Sequence, residues 1–590
     1  MTRHGPVLGP AGTTFRLWAP AAKSVELLLD RPLPMRSEKP GWHALTLPGL
    51  GAGTRYKFRI GGELEVPDPA SAFQPEDVGG PSEVVDHAAY QWRNPEWRGR
   101  PWDDAAILEL HIGTFTPEGT FRAAIDKLDH VAQAGFTAIE LMPVADFAGS
   151  RNWGYDGVLL YAPDSTYGRP DDLRALVDAA HQRGLMVLLD VVYNHFGPEG
   201  NYLGRYAPQF FTSGATPWGQ AIDYRVAEVR AFAIDNALHW LRHYRFDGLR
   251  LDAVHAILER GEPSMLDELS RAVGTLAGAT GRAIHLVLEN DDNNARLLDP
   301  RTDPPRGRYR AQWNDDYHHA WHVLLTGETH GYYGDYAQAP LDRIVRALSS
   351  GFAYQGEPSA HRDGKPRGEP SAGLPPTAFV DFLQNHDQIG NRALGDRLEL
   401  HAGVPAMEAA LAVMLLAPQP PLMFMGEEWG SVRPFPFFCD FKGALADAVR
   451  KGRREEFKSA YQEFGDEIPD PLDERTFRSA TLDWEEARSA AGRRRLALVR
   501  ELLTLRRDRV VPLLAGIGFD AGNRRGSVVT AAWRAAHGRR LRLLANLSDS
   551  ASERPADRGG GAPLWGGEPA ATLPAWSVFW SVAAPERRAS

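Results

Sequence analysis

The sequence predicts an α/β protein built as a (β/α)8 TIM barrel with an N-terminal β-sandwich domain and a C-terminal antiparallel β domain. Three observations carry this. The middle of the chain alternates near-continuous apolar runs of strand length with amphipathic helical segments, the pattern of a parallel sheet covered on both faces. Eight such runs can be counted, the number a closed barrel needs. Both ends of the chain instead show short β-rich runs separated by Pro and Gly clusters. At 590 residues the chain exceeds one ordinary domain, and the pattern divides it into residues 1–92, 93–511 and 512–590.

In the first segment, residues 13–20 (TTFRLWAP), 24–30 (SVELLLD) and 54–60 (TRYKFRI) read as strands, and residues 66–75 (VPDPASAFQP) as a proline-punctuated connector. Trp18 and Trp42 are read as core rather than as a sugar platform, so the sandwich is expected to brace the barrel. The barrel strands are read at residues 107–115, 138–144, 185–192, 248–254, 284–290, 311–314, 378–385 and 421–426. Between them, residues 121–135 form an amphipathic helix with Phe121, Ile125, Leu128 and Val131 on one face and Gly135 after its end. Residues 171–184 form a helix with an acidic start and a basic end. Further helices are expected at 229–244 and 492–508, the latter closing the barrel. Residues 361–376 (HRDGKPRGEPSAGLPP) read as a mobile barrel loop. The last segment offers strands at 526–533, 541–548 and 576–582, with a Gly-rich loop at 557–563.

Composition narrows the function. Hydrophobic residues make up 43% and charged residues 24%, as in globular proteins. The net charge of −10 argues against nucleic-acid or anionic-membrane partners, which need clustered Lys and Arg. No apolar run reaches the length of about 18–20 residues that a membrane span needs, and no basic segment with an apolar stretch follows Met1. A soluble, cytoplasmic protein is expected. Cys439 is the only cysteine, which excludes an internal disulfide and a Cys-rich zinc site.

Four of the strand runs end in polar residues: 190–195 (DVVYNH), 248–255 (GLRLDAVH), 286–290 (LVLEN) and 382–387 (FLQNHD). Barrel sites form at the carboxyl ends of strands, which is where Asp252, Glu289 and Asp387 fall. Arg250 lies two residues before Asp252, so both side chains share a face, and the arginine keeps the carboxylate ionised and aimed, as a nucleophile requires. Glu289 closes an apolar run, a setting that raises a carboxyl pKa and suits a general acid. Two carboxyls with divided roles are the pattern of glycoside hydrolysis. Asp387 is placed to stabilise positive charge on the sugar ring, and His195 and His386 to meet hydroxyls. Any one strand-end carboxylate alone is as readily a helix cap or a loop ion pair. Asp190 is read as the structural member that holds Arg250. No HExxH motif accompanies the carboxylates, and His318 and His319 are adjacent, so no metal site is expected.

These four runs resemble the signature regions of the α-amylase family of glycoside hydrolases. The resemblance implies that Asp252 is the nucleophile, Glu289 the acid/base and Asp387 the stabiliser. It places Asp190, His195, Arg250 and His386 around the same sugar and makes Tyr155, in NWGYDG, the ring on which that sugar stacks. Asn194 matches a calcium-ligand position of some amylases. Residues 15–29 (FRLWAPAAKSVELLL) resemble the glycogen-binding-like domain of branching and debranching enzymes. Longer stretches resemble the trehalose-releasing branch of the family: residues 67–86, 251–257, 312–319 (QWNDDYHH), 384–392 (QNHDQIGNR), 424–429 and 434–441. That branch implies hydrolysis, with retention, of the α-1,4 bond next to the terminal trehalose of maltooligosyl trehalose, the Asp252 and Glu289 carboxyls lying roughly 5–5.5 Å apart. It makes His255, Asp315, Asp316, Gln388 and Arg392 substrate contacts, with no cofactor. The alternative is a 1,4-α-glucan branching enzyme, with the same triad and a glucan in place of water.

Overall fold

The computed structural model describes residues 3–584 other than 39, 217, 258–263, 300–308, 457, 459–467 and 557–560. Part of the Gly-rich loop read at 557–563 therefore lies outside the described residues. Eight parallel strands close into a barrel in strict sequence order: Ile107–Leu110, Ala138–Leu141, Met186–Val191, Gly248–Leu251, His285–Leu288, Ala311–Trp313, Phe379–Phe382 and Pro421–Phe424. They are called the first to eighth strands below.

Alternation along these short strands sets the two layers that matter. Ile107, Ala138, Met186, Leu188, Val287, Ala311, Val380 and Leu422 fill the barrel interior, with Trp102 packed beneath them. Each such aliphatic contributes about 1.5–3 kcal/mol by leaving water. Two residues further along the same faces come Glu109, Glu140, Asp190, Arg250, Glu289 and Trp313. The apolar layer thus carries a charged layer at the carboxyl end of the barrel.

Three local readings are corrected. The first apolar run is a strand only to Leu110, after which Ile112–Phe115 turns helical. The His111 ring anchors that turn by bonding Thr114 Oγ1 at 3.0 Å and the Asn152 carbonyl at 2.9 Å. The helix expected over 121–135 is two, Phe121–Ile125 and Leu128–Ala134, because Asp126 and Lys127 tighten into i→i−3 bonds. Gly135 does end the second, in the left-handed region at φ 104°. The segment read as a mobile loop is pinned: Glu357–Pro358 pairs antiparallel with Pro366–Arg367, and its arginines reach back to the fifth strand.

The N-terminal domain holds two sheets, one of Val7–Gly9, Gly12–Trp18, Trp42–Leu47 and Arg36–Glu38, the other led by Val25–Leu28 and Arg55–Ile60. Trp18 is buried against Phe210, with ring centroids 5.7 Å apart, and Ala21 N–H bonds the Tyr206 carbonyl, so this domain leans on the segment that follows the third strand. The C-terminal domain is a five-stranded antiparallel sheet tied to the barrel by Trp580 Nε1–H donating to the Ala412 carbonyl at 3.0 Å. Among the described residues no helix is long and apolar enough to cross a membrane.

Candidate active site

The site grows from the charged layer, and Arg250 is its centre. From the fourth strand its Nη1 donates to Asp190 Oδ2 at 2.7 Å and to Asp252 Oδ1 at 2.8 Å, while Nη2 lies 3.5 Å from Glu289 Oε2. Its guanidinium also rests 4.2 Å from the centre of the Trp313 ring. One planar side chain therefore spans three carboxylates.

Asp252 receives a second donor, Asn194 Nδ2, on Oδ2 at 2.8 Å. Both of its oxygens are thus oriented by hydrogen bonds that favour the anion. The next residue, Ala253, sits in the left-handed region at φ 40°, a conformation that costs a non-glycine residue energy and is held here by its surroundings. That turn points Ala253 N–H at Glu289 Oε2, 2.6 Å away. Glu289 is pushed well above the usual carboxylate range, first by burial and then by the Asp252 and Asp315 charges, against the pull of Arg250. Asp252 thus accepts from a guanidinium and a side-chain amide, while the Glu289 carboxyl is pushed up by burial in spite of the Ala253 amide and the guanidinium beside it.

Asp387 lies in the first turn of the short helix His386–Gly390, which Asn385 caps by accepting from the Asp387 and Gln388 amides at 3.0 Å. Its carboxyl is open to the mouth of the site and accepts from Asn391 Nδ2 at 2.8 Å. Crowding by protein raises its pKa, His386 lowers it and Asp252 raises it again. Tyr155 O–H donates to Asp190 Oδ2 at 2.6 Å, and its ring stacks on His386 with centroids 5.1 Å apart. Asp190 is driven up to about 6 by burial despite Arg250. The two ring nitrogens of His195 are engaged by the Tyr155 carbonyl and the Asn194 side chain, so His195 orders Asn194.

On the opposite rim, helix Asp315–Thr326 starts directly after the sixth strand, so residues 312–319 are a strand end and a helix rather than a loop. Asp315 faces the site, half-buried, its carboxyl pushed up to about 7 by burial and by Asp291. Asp316 is fully buried and accepts from the Ala353 and Tyr354 amides, Asn293 and Arg367, which corrects its reading as a substrate contact. Arg392 is partly exposed, with Glu328 and Asp396 holding it in ion pairs of 2.6 and 3.0 Å. Gln388 is buried and accepts from Tyr332 O–H at 3.2 Å. His255 Nδ1 accepts the Asp291 amide at 3.3 Å.

Several site residues escaped the sequence reading. Asp291 and Asp292, just past Glu289, are gripped by Arg362 and Arg367 from the pinned hairpin, with ion pairs of 2.8 Å to Asp292 and 2.9 Å to Asp291. Trp218 is 48% exposed and stacks on His195 with centroids 5.7 Å apart, an open indole beside the site. Neither has a sequence signal beyond residue type, because both come from loops whose partners are distant in the chain. A second grouping, His87, His239 and His243, brings ring nitrogens within 4.8 Å of one another, away from these carboxylates. Arg174 Nη2 lies 2.6 Å from His87 Nδ1 and must donate to it, which puts that ring's proton on Nε2 and a cation beside the trio. It does not fit a metal ion.

Fold and sequence comparisons agree on the class. The family description "Alpha amylase, catalytic domain" matches residues 90–207, carbohydrate-binding module 48 (the isoamylase N-terminal domain) matches 3–71, and a domain family of unknown function matches 518–580. Barrel, flanking domains and carboxylate set define a glycoside hydrolase of the α-amylase class. A malto-oligosyltrehalose trehalohydrolase of Deinococcus radiodurans is 44% identical over 512 residues, 86% of this chain and 83% of that one. The crystal structure of a Salmonella typhimurium protein described as an alpha amylase is 46% identical, with a TM-score of 0.94 over 99% of this chain and all of that one. A 1,4-alpha-glucan branching enzyme of Rubrobacter xylanophilus is 37% identical over only 42% of this chain and 39% of its own length. The chain belongs to the malto-oligosyltrehalose trehalohydrolase family.

Proposed function

We propose that this enzyme hydrolyses the α-1,4-glucosidic bond next to the terminal trehalose of maltooligosyl trehalose, releasing trehalose and a shortened maltooligosaccharide. The observation that carries the chemistry is the arrangement around Arg250: an Asp252 carboxylate held by two donors and a Glu289 carboxyl pushed up by burial. Asp252 attacks the anomeric carbon while Glu289 protonates the departing trehalose oxygen. Glu289, now a carboxylate, takes a proton from water as that water breaks the glycosyl–Asp252 ester. Two inversions give net retention. Asp387 and His386 stabilise the oxocarbenium-like transition state and bind sugar hydroxyls, and the sugar packs on Tyr155. Trp218 extends the apolar surface for the glucan.

The trehalose side is built by His255, Asp291, Asp315 and Arg362, which surround the exit from Glu289. An acidic chain with one cysteine suits the reducing cytoplasm. Incubation with maltooligosyl trehalose tests the reading. Equimolar trehalose and shortened glucan are expected. Absence of trehalose, with new α-1,6 branches on amylose, would replace hydrolysis by glucan transfer.

A further inference from the structure

The first strand contributes a buried carboxylate that the mechanism above does not use. Glu109 is 1% exposed, and it reaches across the barrel to the start of the seventh-strand helix. One of its oxygens accepts the His386 amide at 3.1 Å and the other is bonded to His386 Nδ1. Both bonds go to the residue immediately before Asp387, so Glu109 fixes the backbone and the ring of that turn together. His386 is packed by Tyr155 on one side and by the Trp153 and Trp313 rings on others. Its Nε2 makes no hydrogen bond to any described residue.

We propose that Glu109 is a positioning residue of this site, holding His386 as a doubly protonated imidazole whose Nε2–H is presented to a hydroxyl of the sugar. This rests on the reading of His386 as a sugar contact. The geometry makes the assignment. An ionised Glu109 can only accept, so Nδ1 must carry a proton, and a carboxylate at this burial needs a matching cation. The charged and titratable groups facing the imidazole are Glu109 on the first strand, His111 directly after it, Arg250 on the fourth and Asp387 beside it. Burial lowers the pKa of His386, and Glu109, then Asp387, more than reverse this, so the net direction is upward.

The neighbouring strand shows what happens without such a partner. Glu140 pairs with Glu109 in the strand register, is equally buried, and neither of its oxygens has a hydrogen-bond partner. Burial and the Glu109 charge push it well above the carboxylate range, so it carries its own proton. Of two adjacent buried glutamates, only Glu109 has hydrogen-bond partners among the described residues, and both are on His386.

The test is the pH dependence of kcat/KM for trehalose release in wild type and Glu109→Gln. Glutamine keeps an acceptor for the amide but removes the charge. With the counter-charge gone, His386 loses its second proton at a lower pH. The alkaline limb should move down by at least about one unit, a loss of about tenfold at a fixed pH on that limb. Activity should recover towards wild type as pH falls. A purely structural role would lower activity alike at every pH and leave the profile in place, and that result overturns the proposal. If Glu109→Gln does not fold, His386→Gln supplies the comparison. It is expected to lose about tenfold or more at every pH with no recovery in acid, and wild-type activity would overturn the proposal. Wild type that releases no trehalose would instead sink the underlying reading.

Discussion

The two rims of this site are built in opposite ways. The rim assigned above to the attacked sugar is made of strand ends: Asp190, Arg250, Asp252 and Glu289 lie on or directly after adjacent barrel strands, and register alone brings them together. The rim proposed to receive the leaving group is made of loops clamped by arginines. Arg367 is buried and joins Asp291 of the fifth-strand end to Asp316 of the sixth-strand helix, while Arg362 reaches Asp292 from the hairpin tip. The first rim sets how a glycosidic bond is broken, as barrel geometry permits. The second can vary without disturbing the barrel, which is where a substrate preference is best stored.

This difference implies a graded set of outcomes. Asp252→Asn removes the nucleophile while leaving its two donors in place. The expected loss in kcat is about 10³–10⁴-fold with the fold retained, read from steady-state kinetics and circular dichroism. Undiminished activity would mean that the attacking group lies elsewhere. Arg367→Ala leaves Asp316 buried with one charge partner fewer. A destabilisation of about 3–5 kcal/mol is expected, seen as an earlier unfolding transition of the barrel. Arg362 is more exposed, so Arg362→Ala should cost little stability and raise KM for maltooligosyl trehalose several-fold, a loss of about 1 kcal/mol.

The smallest effect is expected at Glu140. Its folded pKa lies above its unfolded value of about 4.3. Such a group contributes stability that is full below the unfolded pKa and is lost as pH rises towards the folded one. Glu140→Gln should therefore remove a penalty and stabilise the protein by about 1 kcal/mol near pH 8, with no gain at pH 4. Equal melting temperatures for the two proteins across that range would show that Glu140 has a partner for its charge.

The same contrast explains what could be read from sequence. The places of Asp252 and Glu289 at the carboxyl end of the barrel were legible because each directly follows an apolar strand, and that of Arg250 because alternation puts it on the same face as Asp252, while Asp387 lies in the helix after the seventh strand. All eight strands were found, although each is shorter than its apolar run. The first run stopped at Leu110 because His111 bonds to side chains and carbonyls distant in the chain, which periodicity does not register. Asp316 was misread for a related reason. It belongs to a motif that looks like a substrate contact, and only the fold shows that it is buried and already held by Arg367. Arg362, Trp218 and Glu109 carried no local signal. Their significance comes from the hairpin, the segment after the third strand and the barrel closure that place them.

The central claim is that bond cleavage and leaving-group choice are separable in this enzyme. Its most direct test is the ratio of kcat/KM for maltooligosyl trehalose to that for a maltooligosaccharide of equal glucose number, measured in wild type, Arg362→Ala and Asp387→Asn. A ratio well above one is expected in wild type, unchanged when Asp387→Asn lowers both values together and reduced in Arg362→Ala. A ratio that Arg362→Ala leaves intact, or that Asp387→Asn reduces, would contradict the account.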